Sequence, residues 1–138
     1  MDTIKTLLAH QQINVNIQDI KKNSAFFIAS HYNHYESVFL LLQDARVDVN
    51  MCDQHGWSPF MKACYNGNTL VVQLLLSFGR RVNMKNDHGQ NALDIAKELD
   101  KFSVVNILEA YQKNQEETQK TIRGHLNIKG IIYKIFKI

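Results

Sequence analysis

The amino-acid sequence predicts an all-α solenoid of stacked helix-turn-helix units joined by hairpin loops. Three observations predict it: a self-similarity of 33 to 34 residues, two short apolar helical patterns in each period, and capping and turn residues at matching places. The pair Val-Asn closes three segments, at Val15-Asn16, Val49-Asn50 and Val82-Asn83. A step of 33 relates Asp53 to Asn86, His55 to His88, Gly56 to Gly89, Ala63 to Ala96, Val71 to Val104 and Leu75 to Leu108. A backward step of 34 relates Asp53 to Asp19, Ser58 to Ser24, Phe60 to Phe26, Ala63 to Ala29 and Val72 to Val38, with the extra residue inside 43–47.

Taken in order, residues 1–16 read as a half unit, 17–50, 51–83 and 84–113 as full units, and 114–138 as a basic tail. The half unit starts at a second helix, because Ile4, Leu7 and Leu8 match Val71, Leu74 and Leu75. Its absent partner helix is expected to leave an apolar face uncovered. In the middle unit Ser58 is a good N-cap, and Pro59 follows at the first helical position, where its missing N–H costs nothing. Ser24 and Asn91 are expected to cap in the same way. Ala63, with Ala29 and Ala96 in the same role, should lie where neighbouring helices approach closely. Gly67, and at its equivalents Asn33 and Asp100, suits a left-handed helix end. The second helix of that unit, with Val71, Val72, Leu74, Leu75 and Leu76, is apolar around most of its circumference, as an element buried between neighbours should be. Gly56 and Gly89 permit a positive φ in the hairpins. Lys22 stands at the corresponding place in the first unit, so a distorted turn is expected there.

The string from Asp53 to Ala63, Asp-Gln-His-Gly-Trp-Ser-Pro-Phe-Met-Lys-Ala, resembles the opening D-x-x-G-x-T-P-L-H-x-A of an ankyrin repeat, and the stretches 67–76 and 79–83 resemble its continuation. With the half unit, the resemblance covers roughly four-fifths of the chain. It implies an ankyrin-repeat solenoid that recognises another protein through its hairpin tips and the surface of its first helices. Carried over position by position, the binding residues are Lys21, Asn23, His31 and Tyr32, then Gln54, His55, Trp57, Tyr65 and Asn66, then Asp87, His88, Gln90 and Glu98. Trp57 and Tyr65 are the expected anchors and should lie close together, since large aromatic rings dominate many interfaces. A second reading has Trp57 folding back over its hairpin. Lys62 is expected on the exposed side of its helix, and Gln73 on the opposite side of the stack. The family's Thr-Pro-Leu-His reads Ser58-Pro59-Phe60-Met61, Ser24-Ala25-Phe26-Phe27 and Asn91-Ala92-Leu93-Asp94. The histidine's hydrogen-bond network is therefore missing and modest stability is expected. The stretch from Leu42 to Asn50 resembles the ankyrin sequence favoured by the oxygen-dependent asparaginyl hydroxylase of animals, with Asn50 the acceptor; the competing reading makes Asn50 a hairpin stabiliser through local hydrogen bonds.

No catalytic signature is present in the sequence: it has no phosphate-cradling glycine loop, no H-E-x-x-H and no nucleophile elbow. Cys52 and His55 are two zinc-ligand types at close spacing, but a tetrahedral site wants a second matched pair. The two cysteines read as free thiols in a reducing compartment, Cys64 in a small core slot and Cys52 beside a turn, so the cytoplasm or nucleus is expected. His31 and His34 are expected in solvent at a helix end. No metal, cofactor or nucleic acid is expected. Residues 1–111 hold 10 Lys+Arg and 11 Asp+Glu, a net of −1, against 6 and 2 in 112–138, a net of +4; the body lacks the basic stripe of a nucleic-acid binder. The Met1–Leu8 stretch lacks the basic start and long apolar run of a secretory signal, and no run approaches the roughly 20 apolar residues that span a bilayer. In the tail, 115–119 is expected to fray or to extend the last helix. Further on, Lys129, Lys134 and Lys137 share one arc of a helical wheel opposite Ile128, Ile131, Ile132, Ile135 and Ile138. That pattern supports an alternative, a membrane-associated or regulatory module targeted by its tail. Packing or disorder is the preferred expectation, with truncation after Asn114 leaving the stack soluble and helical.

Overall fold

The computed structural model describes residues 2–9, 14–78 and 80–128. Eight helices occur among them: α1 (Asp2–Ala9), α2 (Ala25–His31), α3 (Tyr35–Leu42), α4 (Pro59–Asn66), α5 (Thr69–Ser77), α6 (Ala92–Glu98), α7 (Phe102–Lys113) and α8 (Gln115–Ile128). The first helices α2, α4 and α6 stack in one layer, and the second helices α1, α3, α5 and α7 stack in another. Among the described residues the only β pairing is an isolated bridge between Lys85 and Asn91.

Each first helix begins at the expected cap. Ser24 Oγ accepts the Phe27 N–H, Ser58 Oγ the Met61 N–H, and Asn91 Oδ1 the Leu93 N–H. Gly67 ends α4 at φ 70°, and Asn33 and Asp100 take φ 59° and 56° at the matching places. Ala29, Ala63 and Ala96 are all buried in the helix-to-helix contact, where a larger side chain would force the helices apart. Phe27 and Met61, at two of the positions where the family carries its histidine, are buried apolar groups, while Asp94 at the third is exposed.

The three hairpins share one design. A carboxylate or amide oxygen accepts two backbone N–H groups: Asp19 from Lys21 and Asn23, Asp53 from His55 and Trp57, and Asn86 from His88 and Gln90, all at 2.8 to 3.0 Å. The expected distortion of the first hairpin is absent. Lys22 adopts φ 63°, close to the 78° of Gly56 and Gly89, because the Asp19 clamp holds the turn and Lys accepts the steric cost. Asn16 and Asn50 tie successive hairpins together. Asn50 donates to Arg81 O and accepts from Asn83 N, both at 2.8 Å, and Asn16 does the same with Arg46 O and Asp48 N. These bonds run between units, not within the hairpin as local bonding would have it.

The tail departs most from expectation. Asn114 breaks out of α7 with an extended backbone, and its Oδ1 accepts the Glu117 N–H, so α8 starts anew instead of fraying or prolonging α7. α8 turns back over the second-helix layer and packs against both α7 and α5, burying Thr118, Ile122 and Leu126. Gln119 Nε2 donates to Leu76 O at 2.9 Å, and Arg123 donates to Ser77 O at 2.8 and 3.0 Å, satisfying carbonyls at the end of α5. Arg80 does the same for the end of α3 through Leu42 O and Val47 O, and Arg46 donates to Leu8 O near the end of α1. Of the two expectations for the tail, packing and disorder, α8 takes the first, and a helix that buries apolar groups and caps a neighbour contributes to stability, which argues against residues 115–128 being dispensable. The basic amphipathic pattern around Lys129, Lys134 and Lys137 lies outside the described residues. At the opposite end, Leu8, Val15, Ile17, Ala25, Ile28, Ala29 and Leu41 line an apolar groove of about 510 Å³, with Ile17 71% exposed, in the place where a first helix would complete the half unit.

Candidate functional site

The hairpin before α4 and the last turn of that helix bring their aromatic rings together. Trp57 and Tyr65 meet edge to face, with centroids 5.3 Å apart and planes at 82°. Trp57 is half-buried and packs on the core, whereas Tyr65 is 41% exposed. The rings are thus partly rooted and partly presented, which joins the two readings of Trp57. The Lys62 ammonium lies 5.1 Å from the Trp57 ring centre and 4.9 Å from that of Tyr65. Lys62, expected on the exposed side of its helix, is half-buried and forms the third member of this cluster. The sequence carries a signal for it: residues three apart share a helix face, and Tyr65 follows Lys62 by three.

Beside the cluster, a cleft of about 240 Å³ opens between the first two units, lined by Lys21, Asn23, Phe27, Ile28, His31 and Tyr32 from one side and Asp53, Gln54, His55 and Lys62 from the other. Six sequence-derived residues, Lys21, Asn23, His31, Tyr32, Gln54 and His55, are therefore brought to one place. The Gln54 N–H donates to Lys21 O at 3.1 Å and fixes one hairpin tip against the next. His31 is not a free solvent group. Its ring stacks on Phe27, meets Tyr32 edge-on at 4.5 Å and receives Asn66 Nδ2 at 3.3 Å. Burial, followed by the positive charge of Lys62, lowers its pKa below the ordinary histidine value, with Asp53 opposing the shift. His34 is exposed, as expected.

Other expected positions serve the fold. Asn66 Nδ2 donates to His31 O at 3.0 Å, and Asn68 Nδ2 bonds Ser30 O and His31 O, so both amides satisfy the end of α2. The Gln90 side chain accepts from Asn86 Nδ2 at 2.7 Å, inside its hairpin. Asp87 is exposed and leans on the second hairpin, its N–H donating to Gly56 O. His88 and Glu98 are exposed on the third unit and do not line the cleft. Gln73, expected on the far side of the stack, is buried within α5, the helix that α8 packs against. Asn50 has both ends of its amide engaged between hairpins. Cys64 is fully buried and its thiol is pushed well above the usual range by that burial; Cys52 is half-buried and is raised by burial and by nearby Asp87, Asp53 and Asp48. Neither thiol is poised for nucleophilic chemistry, which needs the thiolate.

Comparison with known proteins agrees with this architecture. A family model described as ankyrin repeats (3 copies) matches residues 26–120. Among curated relatives, the tyrosine-protein kinase HTK16 of Hydra vulgaris is 25% identical over 126 residues, covering 91% of this chain and 17% of the relative. The SMC5-SMC6 complex localization factor protein 1 of Homo sapiens is 35% identical over 66 residues, covering 48% and 6%. The potassium channel AKT2/3 of Arabidopsis thaliana is 32% identical over 108 residues, covering 78% and 13%. The chain thus spans only a small part of each of these relatives, whose names differ widely.

Proposed function

The chain belongs to the ankyrin-repeat family, a family of protein–protein interaction modules, and on that premise we propose that it acts as a non-catalytic adaptor or scaffold fragment. In this reading it holds a partner protein through its first two hairpin tips and the adjoining first-helix surface. The observation that carries it is the Trp57–Tyr65 pair: two rings in contact, Trp57 packed on the core and Tyr65 exposed, both touching Lys62, which lines the cleft between the first two hairpins. Rings of this kind bury large area on binding while losing few rotatable bonds. The cytoplasm or nucleus is the proposed compartment, on the strength of the two free cysteines.

Affinity capture with the full chain, followed by mass spectrometry, identifies candidate partners; calorimetry then compares Trp57→Ala and Tyr65→Ala with the parent. Each substitution should weaken binding by ~2 kcal/mol or more while leaving the helical circular dichroism intact. Unchanged affinity in both folded variants would remove this face as the site. The alternative, targeting to a membrane by the tail, has less chain to draw on, since α8 lies on the stack as far as Leu126. No helix of the described residues is long and apolar enough to cross a membrane. Flotation of the full chain with anionic liposomes, compared with a chain ending at Ile128, tests that alternative.

A further inference from the structure

We propose that the cleft between the first and second hairpins receives the carboxylate of an acidic residue in the partner protein, with a neighbouring aromatic or aliphatic residue of that segment lying on Trp57 and Tyr65. The inference rests on the reading of this face as the partner site and specifies what the partner presents to it.

Donors dominate the cleft. Lys21 and Lys62 bring ammonium groups, each with three donors and no acceptor, and Tyr32 adds a hydroxyl from its exposed ring. Among the described residues no carboxylate pairs with either lysine; the ion pairs join Arg46 to Asp44 and Lys97 to Glu109. Lys62 is held over two rings and makes no hydrogen bond among the described residues, so part of its ammonium stays available to a ligand. Its field reaches across the cleft, since it is one of the causes that lower the His31 pKa.

The acidic groups nearby are partly engaged by their own turns. Asp53 lines the cleft, yet its Oδ1 accepts the N–H groups of His55 and Trp57, and Asp19 is turned the same way toward Lys21 N and Asn23 N. Among the described residues neither lysine has a carboxylate partner, and Asp53, the one acid lining the cleft, keeps its charge with one oxygen taken up by backbone N–H groups, so the two ammonium groups exceed it by one. A carboxylate entering the cleft would take charge-assisted hydrogen bonds, which are about twice as strong as neutral ones. The rings beside Lys62 favour a segment in which an acid stands next to an apolar residue. A nucleic acid fits less well, because residues 1–111 have a net charge of −1.

The probe is a random linear peptide library displayed on phage and selected against the immobilised full chain, with recovered sequences resynthesised and titrated by fluorescence anisotropy. Recovered peptides should carry Asp or Glu beside Phe, Tyr, Trp or Leu, and replacing that acid by its amide should weaken binding about tenfold. Lys62→Met, which keeps the aliphatic stem on the rings, and Lys21→Gln should each produce a loss of about fivefold to tenfold, and added salt should weaken binding further. Peptides that lose binding on Trp57→Ala but show no acid preference and ignore both lysine substitutions would overturn this inference and leave the face itself standing. Peptides insensitive to Trp57→Ala and Tyr65→Ala, or no enriched peptide at all, would count against the face and take the inference with it. Displacement by an oligonucleotide or by inorganic sulfate at matched charge would mark a general anion site and overturn the peptide assignment.

Discussion

Leu126→Ala puts the placement of α8 to a quantitative test. Leu126 is 1% exposed and borders the same depression on the second-helix layer as Phe39, Leu74 and Phe78. Removing most of a buried leucine side chain costs about 2–5 kcal/mol, depending on how far the surroundings collapse. Here the site opens onto a surface depression of about 320 Å³, so neighbours and water can move in. The expected loss is therefore in the lower half of that range, about 2–3.5 kcal/mol. With a urea dependence of about 2 kcal/mol per molar, the middle of the range for small domains, the unfolding midpoint should fall by about 1–2 M. Urea titration followed by far-ultraviolet circular dichroism reads the shift directly. Lys120→Ala, on the exposed side of α8, is the control and should stay within about 0.5 kcal/mol of the parent. A Leu126→Ala midpoint equal to that of the control would refute the packing of α8 on α5. A chain ending at Asn114 should then be as stable as the parent; the structure requires instead that it melt earlier and bind a hydrophobic dye, because the second-helix layer is uncovered.

Three further outcomes follow from the same physical reasoning. Ala63 is 0% exposed in a helix packed against both α2 and α6, so Ala63→Leu should cost about 1–3 kcal/mol by overpacking, and an unchanged thermal midpoint would remove the register. Lys22→Gly should raise stability by about 0.5–1 kcal/mol, because the left-handed strain at φ 63° disappears while greater freedom of the unfolded chain offsets part of the gain; a loss of stability would show that the lysine side chain does more than tolerate the turn. For His31 the folded state disfavours the proton, so the unfolded chain binds it first as the pH falls. The stability from the neutral ring is complete above the ordinary histidine value near 6.5 and is lost as the pH drops below it toward the lowered folded value. The His31 imidazole should titrate below 6.5 by nuclear magnetic resonance, and Lys62→Gln should move the midpoint upward; a midpoint at or above the ordinary value would contradict the burial and the reach of Lys62.

What was legible in the sequence was what depends on neighbours along the chain. Ser24, Ser58 and Asn91 cap their helices because the cap bonds lie within three residues. Asn33, Gly67 and Asp100 close helices because residue type governs access to the left-handed region. The Trp57–Tyr65 contact was also legible, since one turn and one short helix set the distance. Contacts between units were harder to read. Arg46 and Arg80 stand 34 apart, a regularity present in the sequence, but the carbonyls of the preceding unit that both reach carry no side-chain signature. Asn66 looks like an exposed binding group by register, and only the position of the neighbouring α2 backbone turns it inward.

By itself the sequence determined the repeat, its register, the helix ends, the buried alanines and the aromatic pair, since short-range sterics, hydrogen-bond reach and 3.6-residue periodicity act locally. The tertiary structure alone decided that Lys21 and His55 share a cleft with His31, and that the polar start of the tail folds back as α8. Those outcomes depend on which surfaces the stacked units leave exposed to one another, and a helix such as α8, with few apolar residues, is held in place only by the faces of α5 and α7 it covers.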